Sequence, residues 1–274
     1  MDSKTILITG ATDGIGLVST RELARMGHRV IVHGRSAERA EQTARDLERD
    51  TKIQNIDFVS ADFASLAQVR EMAKRVNEKF ERLDVLLNNA GVVMKKRVLT
   101  TDGFETTFQV NHLAHFLLTN LLLDLIRGSA PARIVTVSSG THRSGHLDWD
   151  NLNGERSYDS YNAYATSKLE NVLFAVELAE RLKGMDVSSN ALHPGVINTK
   201  LLRAGFSSSG EKLERGAEGL VYLASSPQLE GVTGKYFDRT REASAVPAAH
   251  DIALRKKLWE VSEELTGVGK GLRD

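Results

Sequence analysis

The amino-acid sequence predicts one α/β domain in which a doubly wound, parallel sheet of about seven strands is flanked by helices. Short β-branched runs alternate with longer amphipathic segments, the order expected when each crossover between parallel strands is a helix. The first strand candidates are continuously apolar, as strands buried on both faces are. No internal repeat, low-complexity tract or long linker interrupts the alternation. We therefore assign residues 1–274 to a single domain that includes its own substrate site.

The predicted elements follow one another along nearly the whole chain. Strands are expected at the short runs of Val, Ile, Leu and Thr: residues 5–9, 29–33, 56–60, 85–88, 133–137, 187–192 and 235–238. Helices are expected at the longer segments between and after them: residues 16–26, 37–50, 66–80, 104–127, 158–183, 211–225 and 249–265. The serine-rich stretch at residues 207–210 is expected to be a loop and not a domain boundary.

The composition is that of an ordinary globular protein and excludes several classes of function. Of the 274 residues, 41% are hydrophobic and 26% are charged. The 36 basic and 36 acidic side chains balance to a net charge of zero, so no overall basic field attracts nucleic acid. The chain has no cysteine, which excludes disulfides, zinc–thiolate sites and thiol nucleophiles.

No segment has the apolar length of a membrane span, which is roughly 20 residues. The best candidate, residues 116–126, is interrupted by Thr119, Asn120 and Asp124. The first strand candidate follows directly after Lys4, so we expect no signal peptide. We therefore expect a cytoplasmic protein without a membrane span.

A glycine-rich turn joins the first strand to the first helix. It reads Gly10-Ala11-Thr12-Asp13-Gly14-Ile15-Gly16, which spaces the glycines as Gly-x3-Gly-x-Gly. Glycines permit a tight turn and let the backbone approach a pyrophosphate, which then lies at the helix N-terminus. Three glycines alone would fit a plain turn, but the strand before them and the helix after them favour a dinucleotide site.

The end of the second strand predicts which dinucleotide is bound. An NAD site carries an acidic residue there to bind the ribose hydroxyls. This chain instead has His33-Gly34-Arg35-Ser36, and a guanidinium would pair with a 2′-phosphate. Arg35 therefore predicts NADP(H) in preference to NAD(H). The alternative is that Arg35 only begins the next helix as a solvent-exposed residue. Asp13 argues against the NADP(H) preference, because it would place a carboxylate near the same phosphate.

Two further strand ends carry candidate ligand-binding residues. Asp62 and Phe63 follow the third strand, where Asp62 is also placed to cap the next helix. Asn88-Asn89-Ala90-Gly91 ends the fourth strand and lets the backbone turn tightly under a ligand.

A tyrosine and a lysine share one face of a predicted helix. The spacing of Tyr164 and Lys168 is four residues, and neither Tyr158 nor Tyr161 has a lysine at that distance. An ordinary tyrosine has a pKa near 10, and a nearby cation lowers that pKa toward the range useful for acid–base chemistry. The alternative is a surface pair on an amphipathic helix.

Two polar positions complete the candidate site. Ser138 and Ser139 end the fifth strand, where a hydroxyl points into the crevice that binds ligands in open parallel sheets. Asn111 lies inside an otherwise Leu- and Phe-rich helix, a position that helix propensity disfavours. The structural alternatives are a turn-forming serine and an exposed amide.

Two histidine pairs and one serine–histidine pair are weaker indications of function. His112 with His115, and His142 with His146, have the spacing of metal ligands, but no third ligand accompanies either pair, and we expect no metal. Ser139 and His142 suggest a hydrolase, but no Gly-x-Ser-x-Gly elbow is present.

Taken in order with the later His193-Pro194-Gly195-Val196-x2-Thr199, these motifs resemble those of the short-chain dehydrogenase/reductase family over nearly the whole chain. The resemblance implies a Rossmann-type fold and hydride transfer between a nicotinamide cofactor and a carbonyl–alcohol pair. It implies that Tyr164 is the general acid and base and that Lys168 depresses its pKa and binds the nicotinamide ribose. It further implies that Ser139 holds the substrate oxygen and that Asn111 anchors a relay water.

The same resemblance implies a set of residues that line the cofactor. They are Gly10, Thr12, Asp13, Gly14, Ile15, Arg35, Asp62, Phe63, Asn89, Ala90, Gly91, Tyr164, Lys168, Pro194, Gly195, Val196 and Thr199.

Within the family, the chain resembles the retinol dehydrogenase and protochlorophyllide reductase-like branch. The resemblance rests on residues 108–113, residues 167–171 and the tail at residues 257–267. Members of that branch often have a long apolar lid after Pro-Gly. The corresponding segment here, residues 200–216, is short and polar, so we expect a soluble carbonyl or alcohol rather than a retinoid. The family commonly pairs the helix at residues 104–125 and the next helix with a partner's, which implies a homodimer or homotetramer.

Two alternatives stay open at the level of the sequence. One is an NADPH-dependent C=C reductase, as protochlorophyllide reductases are. The other is a non-catalytic NADP(H)-binding regulatory protein on the same fold, although such proteins usually lose the tyrosine or the lysine.

Overall fold

The computed structural model describes residues 3–54, 56–206 and 209–269, so Ser207 and Ser208 of the expected loop lie outside the described residues. Within these ranges the centre is one eight-stranded sheet with the strand order β3-β2-β1-β4-β5-β6-β7-β8. The strands are β1 (Thr5–Ile8), β2 (Arg29–Gly34), β3 (Ile56–Ser60), β4 (Val85–Asn88), β5 (Ala132–Val137), β6 (Val187–His193), β7 (Tyr236–Asp238) and β8 (Arg241–Ala243). All neighbours pair in parallel except β7 and β8. The doubly wound α/β prediction is confirmed.

The strand β8 is absent from the sequence-based prediction. It is three residues long, lies at the edge of the sheet and has no apolar alternation. It returns antiparallel to β7 after a turn in which Arg239 has a φ of 58°. This strand is defined only by its pairing with β7. Because that pairing is a tertiary contact, the local sequence does not predict it.

Helices connect the strands and cover both faces of the sheet. They are α1 (Gly14–Arg25), α2 (Ala37–Thr51), α3 (Leu66–Lys79), α4 (Thr106–Phe108), α5 (Ala114–Leu121), α6 (Leu123–Gly128), α7 (Ser160–Arg181), α8 (Lys200–Gly205), α9 (Leu213–Ser225) and α10 (Ile252–Thr266). Helices α1, α2 and α9 bury their apolar side chains on one face, and α3, α5, α7 and α10 bury theirs on the other.

The long helix predicted at residues 104–127 is divided in the structure. Glu105 caps α4, because its side chain accepts a hydrogen bond from the Phe108 N–H. A π-helical segment, Gln109–Leu113, follows and leads into α5 and then α6. A π turn inserts an extra residue into a helix and often occurs at functional sites. This one contains Asn111.

The apolar side chains of α5 are buried within the chain itself. The Phe116 ring lies edge-on to Trp259 of α10 at 4.8 Å between centroids, and 5.7 Å from Phe174 of α7. Phe116, Leu117 and Leu118 have no exposed surface. The Phe116 ring is therefore packing surface for α10. No helix among the described residues is both long and apolar enough to cross a bilayer.

The topology reverses between β1 and β4. Strand β1 pairs with β2 on one side and with β4 on the other, so the chain leaves the carboxyl ends of β1 and β4 in opposite directions. Open parallel sheets bind ligands in the crevice that forms at such a switch point. The turn between β1 and α1 lies at this crevice.

Gly16 in the first turn of α1 has no room for a side chain. A Cβ atom at this position would lie 2.4 Å from the Gly10 carbonyl oxygen and 2.7 Å from Asn89 Nδ2. We expect Gly16→Ala to lower the free energy of unfolding by about 1–3 kcal/mol, because backbone has to move to admit the methyl group. Denaturant unfolding measures the change. Gly128→Ala is the control, since a Cβ at Gly128 meets no atom within 4 Å. Equal stability of the two variants would contradict the close approach.

Candidate active site

The candidate site lies at the carboxyl ends of β1, β4, β5 and β6. The loops that follow these strands supply, in order, the glycine turn, Asn89 to Gly91, the two serines and the Pro194-Gly195 turn. Helix α7 crosses this end of the sheet and carries Tyr164 and Lys168. The fold therefore brings together the polar residues that the sequence placed at separate strand ends.

The glycine turn is held tightly against the loop after β4. Gly10 and Gly14 have φ values of 67° and 57°, which favour glycine. A Cβ at Gly10 would lie 2.9 Å from the Ala90 Cα. Asn89 donates from Nδ2 to the Thr9 carbonyl at 2.7 Å, and its buried Oδ1 has no hydrogen-bond partner. A buried, unpaired acceptor thus lies beside the glycine turn.

Charged side chains converge on Asp13 at the start of α1. Asp13 accepts the Gly14 N–H at 2.8 Å as the helix cap. Lys200 lies 2.5 Å and Arg39 lies 3.6 Å from the same carboxylate, and Arg39 also donates to the Thr12 carbonyl. The hydrogen bond from Lys200 is the main cause that lowers the pKa of Asp13.

Sequence reasoning found Arg35 here but missed Arg39 and Lys200. Arg35 is exposed at the end of β2, just before the cap of α2, and Arg39 follows one turn later on that helix. A basic residue four positions after Arg35 was the available signal. Lys200 has no such signal, because only the fold brings α8 to the glycine turn.

The third strand end positions its two residues differently. Asp62 is half-buried and accepts the Ala64 N–H at 3.0 Å, whereas the cap of α3 is Ser65. Phe63 is buried, stacked on His33 at 4.5 Å and edge-on to His115 at 5.2 Å. The Phe63 side chain therefore belongs to the core beneath the crevice.

Tyr164 and Lys168 are both buried, with 6% and 2% of their surface exposed. Lys168 Nζ donates to the Val137 carbonyl at 3.0 Å and lies 5.6 Å from the centroid of the Tyr164 ring. Burial raises the pKa of Tyr164 to about 12, which a hydrogen bond with Ser139 opposes, and burial lowers the pKa of Lys168 to about 8. The expected lowering of the tyrosine pKa by its lysine is thus not observed, because loss of solvation dominates.

The two serines at the end of β5 have different partners. Ser138 is buried and donates to the Lys168 carbonyl at 2.7 Å, which fixes α7 to the sheet. Ser139 is half-buried, and its hydroxyl faces that of Tyr164. Of the other two candidate tyrosines, Tyr158 donates to the Met94 carbonyl and Tyr161 is 43% exposed. The structure therefore pairs Ser139 with Tyr164.

Asn111 is fully buried in the π-helical segment and is not an exposed amide. Its Oδ1 accepts the Val92 N–H at 2.8 Å, and its Nδ2 donates to the Val92 carbonyl at 3.0 Å and to Ser167 at 2.9 Å. A Cβ at Gly91 would lie 3.4 Å from Asn111 Oδ1 and 3.6 Å from Lys168 Nζ. Asn111 thus holds the loop after β4 beside Lys168.

The loop after β6 closes one side of the crevice. Pro194 is buried, Gly195 has a φ of 97°, and Val196 is 49% exposed. Thr199 caps α8 by accepting the Leu202 N–H at 3.1 Å. A Cβ at Gly14 would lie 3.7 Å from the Thr199 methyl group, so the start of α8 approaches the glycine turn.

The segment that follows Pro194-Gly195 is polar in composition, but the side chains that it turns toward the site are apolar. The Phe206 ring lies edge-on to Tyr164 at 5.5 Å, and a Cβ at Gly91 would meet Leu201 at 3.8 Å. Lys200 and Arg203 are exposed. The side of this segment that faces the site is therefore apolar, with Leu201 of α8 and with Phe206 directly after α8.

Three of the four histidines in the two candidate pairs are buried, and His146 is exposed. No group of three His, Asp or Glu side chains in the part of the chain that the structure describes is arranged to hold a metal ion. His112 pairs with Ser262 at 2.8 Å, and His142 donates to the Ser139 carbonyl at 2.7 Å.

Comparison with known proteins agrees with this geometry. Residues 4–209 match the family model described as short chain dehydrogenase. The chain is 42% identical to retinol dehydrogenase 14 of Homo sapiens over 98% of its own length and 88% of that protein. It resembles the crystal structure of an uncharacterized protein from Mycobacterium paratuberculosis, with 34% identity, a TM-score of 0.81 and coverage of 96% and 93% of the two chains.

A third similar protein is a short chain dehydrogenase from Escherichia coli CFT073 whose crystal structure is a complex with NADPH. It is 25% identical, with a TM-score of 0.72 and coverage of 88% of this chain and 98% of that one. The family match extends over most of the chain, and the relatives cover nearly all of it. The fold, the crevice and these matches together place the chain in the short-chain dehydrogenase family.

Proposed function

We propose that this protein is an NADP(H)-dependent oxidoreductase that interconverts a carbonyl and an alcohol, with Tyr164 as general acid and base. The observation that carries the proposal is the buried Tyr164 hydroxyl, which meets Ser139 at the same end of the sheet as the glycine turn. The similarity to retinol dehydrogenase 14 supports an alcohol or carbonyl substrate.

The residues of the crevice fit a nicotinamide dinucleotide. Gly10 lets the turn lie against Ala90, Gly14 and Gly91 place no side chain between the neighbouring loops, and Asn89 Oδ1 is a buried acceptor without a partner. The glycine turn and Asn89 to Gly91 would hold the cofactor from one side, and Val196 and Thr199 from the other. The cofactor would supply or accept the hydride.

The charges beside Asp13 favour NADP(H). Arg35 and Arg39 stand at the end of β2 and the start of α2, where the 2′-phosphate of NADP(H) would lie. Asp13 engages both Arg39 and Lys200. A phosphate would therefore compete with Asp13 for these cations, and Asp13 moderates the preference for NADP(H) over NAD(H).

The titration of Tyr164 suits proton donation to a carbonyl. Its pKa of about 12 keeps the phenol protonated at neutral pH, so a proton is available for the oxygen of the substrate. Lys168, whose pKa is lowered to about 8, lies 5.6 Å from the centroid of the Tyr164 ring, and we propose that its ammonium group would stabilise the phenolate formed during the reaction. Ser139 would hold the substrate oxygen, and Asn111 would anchor the water that returns the proton through Lys168.

The wall around Tyr164 favours substrates that carry an apolar group. Phe206 and Leu201 face the site, and Val93 packs against α8, where a Cβ at Gly205 would lie 2.6 Å from its methyl group. We therefore propose aldehydes, ketones or alcohols with an apolar substituent. The cytoplasmic location and the homodimer or homotetramer stay predictions.

Replacing Tyr164 by Phe tests the acid–base role. We expect Tyr164→Phe to lower kcat for reduction of apolar aldehydes by about 100-fold to 10 000-fold, because proton transfer contributes on that order, while NADPH binding is unchanged. The assay follows the loss of reduced-cofactor absorbance. Tyr161→Phe, on the exposed side of the same helix, is the control and should retain activity. Comparable activity of the two variants would exclude Tyr164 as the acid.

The cofactor preference is tested at the start of α2. We expect wild-type protein to bind NADPH more tightly than NADH, and Arg35→Ala and Arg39→Ala each to weaken NADPH binding by roughly 10-fold or more, because each removes a charge-assisted contact to phosphate. Titration of cofactor fluorescence measures both dissociation constants. Arg45→Ala, two turns into α2 and paired with Glu41, should change neither constant. Equal wild-type affinities for NADPH and NADH would contradict the proposal.

Because Lys168 is buried, the free energy of unfolding is expected to depend on pH. The pKa of Lys168 falls from 10.5 in the unfolded chain to about 8 in the fold, so between these values the unfolded chain binds a proton that the folded chain lacks. The free energy of unfolding therefore rises with pH across this window, and the cost of the buried ammonium is fully present below pH 8. We expect Lys168→Met to remove this rise, which is on the order of 3 kcal/mol. Urea unfolding of both proteins from pH 7 to 10.5 tests it, and parallel curves would contradict the burial.

A further inference from the structure

Two buried histidines lie beneath the start of the glycine turn, and neither belongs to the catalytic residues. His33 is in β2 and is 3% exposed, and His115 is in α5 and is 1% exposed. The Phe63 ring lies between them, stacked on His33 and edge-on to His115. Each imidazole has hydrogen-bond partners at both of its nitrogens, so each ring has a defined protonation state.

The contacts of His33 fix its tautomer. Its Nε2 lies 3.1 Å from the Ala61 carbonyl, which can only accept, so Nε2 carries the proton. Its Nδ1 is then an acceptor and receives the Gly10 N–H at 3.0 Å. The His33 backbone carbonyl accepts the next amide, Ala11 N–H, at 2.9 Å. His33 therefore holds two successive N–H groups of the glycine turn.

The contacts of His115 fix the opposite tautomer. Its Nδ1 lies 3.1 Å from the Asn111 carbonyl and must donate to it, so Nε2 is the acceptor. Nε2 is 2.9 Å from the Thr9 hydroxyl, and that oxygen accepts the Asn89 and Ala90 N–H groups at 2.8 and 2.9 Å. His115 thereby connects three parts of the crevice: the end of β1, the loop after β4 and the π-helical segment.

We propose that His33 and His115, held as neutral imidazoles in opposite tautomers, are positioning residues that keep Thr9 and Gly10 in the conformation that binds the cofactor. This inference rests on the proposed function in one respect, that the ligand of the turn is a nicotinamide dinucleotide. A core histidine that only filled space would be replaceable by another ring of similar size. Here the acceptor nitrogens carry the role, because removing them leaves the Gly10 N–H without this partner and leaves the Thr9 O–H only the longer contact to the Leu87 carbonyl at 3.3 Å.

The surroundings keep both rings neutral. Asp62 is the charged group that acts on His33, and Lys168, His33 and His112 are the titratable groups that act on His115. Burial lowers the pKa of His33 to about 4 and that of His115 to about 3. A proton added to either ring would place a donor opposite the Gly10 N–H or the Thr9 hydroxyl, so the neutral form is the one that the turn requires.

Substitutions at His33 distinguish the contribution of its ring nitrogens from that of its aromatic stacking. His33→Phe keeps the stack on Phe63 and removes both nitrogens, and we expect the dissociation constant for NADPH to rise roughly 10-fold. His33→Asn places an amide oxygen near the position of Nδ1 and should recover part of the loss. Hydrogen exchange at the Gly10 amide, measured without cofactor, should be faster in His33→Phe than in His33→Asn.

Substitutions at His115 distinguish its hydrogen bond with Thr9 from its hydrogen bond with the Asn111 carbonyl. Gln extends an amide oxygen toward Thr9, whereas Asn can only replace the donor to the Asn111 carbonyl. We expect His115→Gln to retain NADPH affinity better than His115→Asn, by roughly 5-fold. His112→Phe is the control, since His112 is equally buried but contacts Ser262 and aromatic rings instead of the turn. It is expected to alter stability without altering the NADPH dissociation constant.

Imidazole nitrogen NMR of the full chain labelled in histidine tests the tautomers directly, and it does not depend on variants that fold. The expected result near neutral pH is His33 protonated at Nε2 and His115 protonated at Nδ1. An imidazolium, the reverse tautomers, or an effect of His112→Phe on NADPH binding as large as that of His33→Phe would overturn the inference. Wild-type protein that binds neither NADPH nor NADH would instead refute the proposed function, and the NMR and exchange measurements would still decide the anchoring.

Discussion

The arrangement of the site depends on how closely β1 and β4 approach each other at their carboxyl ends. The turn after β1 passes so near to Ala90 and Asn89 that side chains at Gly10 and Gly16 would overlap with them. The crevice exists because these backbones meet without intervening side chains and then diverge. Asn111, Lys168 and Ser139 then reach the same crevice from the π-helical segment, α7 and β5. A change in the separation of β1 and β4 would therefore displace the glycine turn relative to the loop after β4, which contacts Asn111 and Lys168.

Much of this arrangement could be predicted from local sequence signals. The spacing of Tyr164 and Lys168, the glycine turn and the serines at the end of β5 are each within one element and its boundary, where periodicity and strand-end rules apply. The parallel order of the sheet followed from the alternation of elements. These features do not require knowledge of which distant segments touch.

The features that escaped prediction arise from tertiary contacts. The π turn around Asn111 matches no hydrophobic period, and β8 is defined by its pairing with β7. Lys200 meets Asp13 only after the sheet is assembled. The segment at residues 200–216 is polar in composition, but the way it packs decides that Leu201 and Phe206 face the site. The raised pKa of Tyr164 likewise reflects burial, which spacing alone does not reveal.

The last helix has a consequence for the chain as a whole. Trp259 of α10 covers the Phe116 and Phe174 rings, and Arg255 of α10 is buried beside Glu177 of α7. A protein shortened before Ile252 would present this aromatic surface to water, and Glu177 would lose Arg255 and keep only Arg181 as its ion-pair partner. Large exposed apolar patches of this kind drive self-association. The C-terminal helix thus acts as a cover, and shortened forms of the protein would be prone to aggregate even though every residue of the crevice is retained.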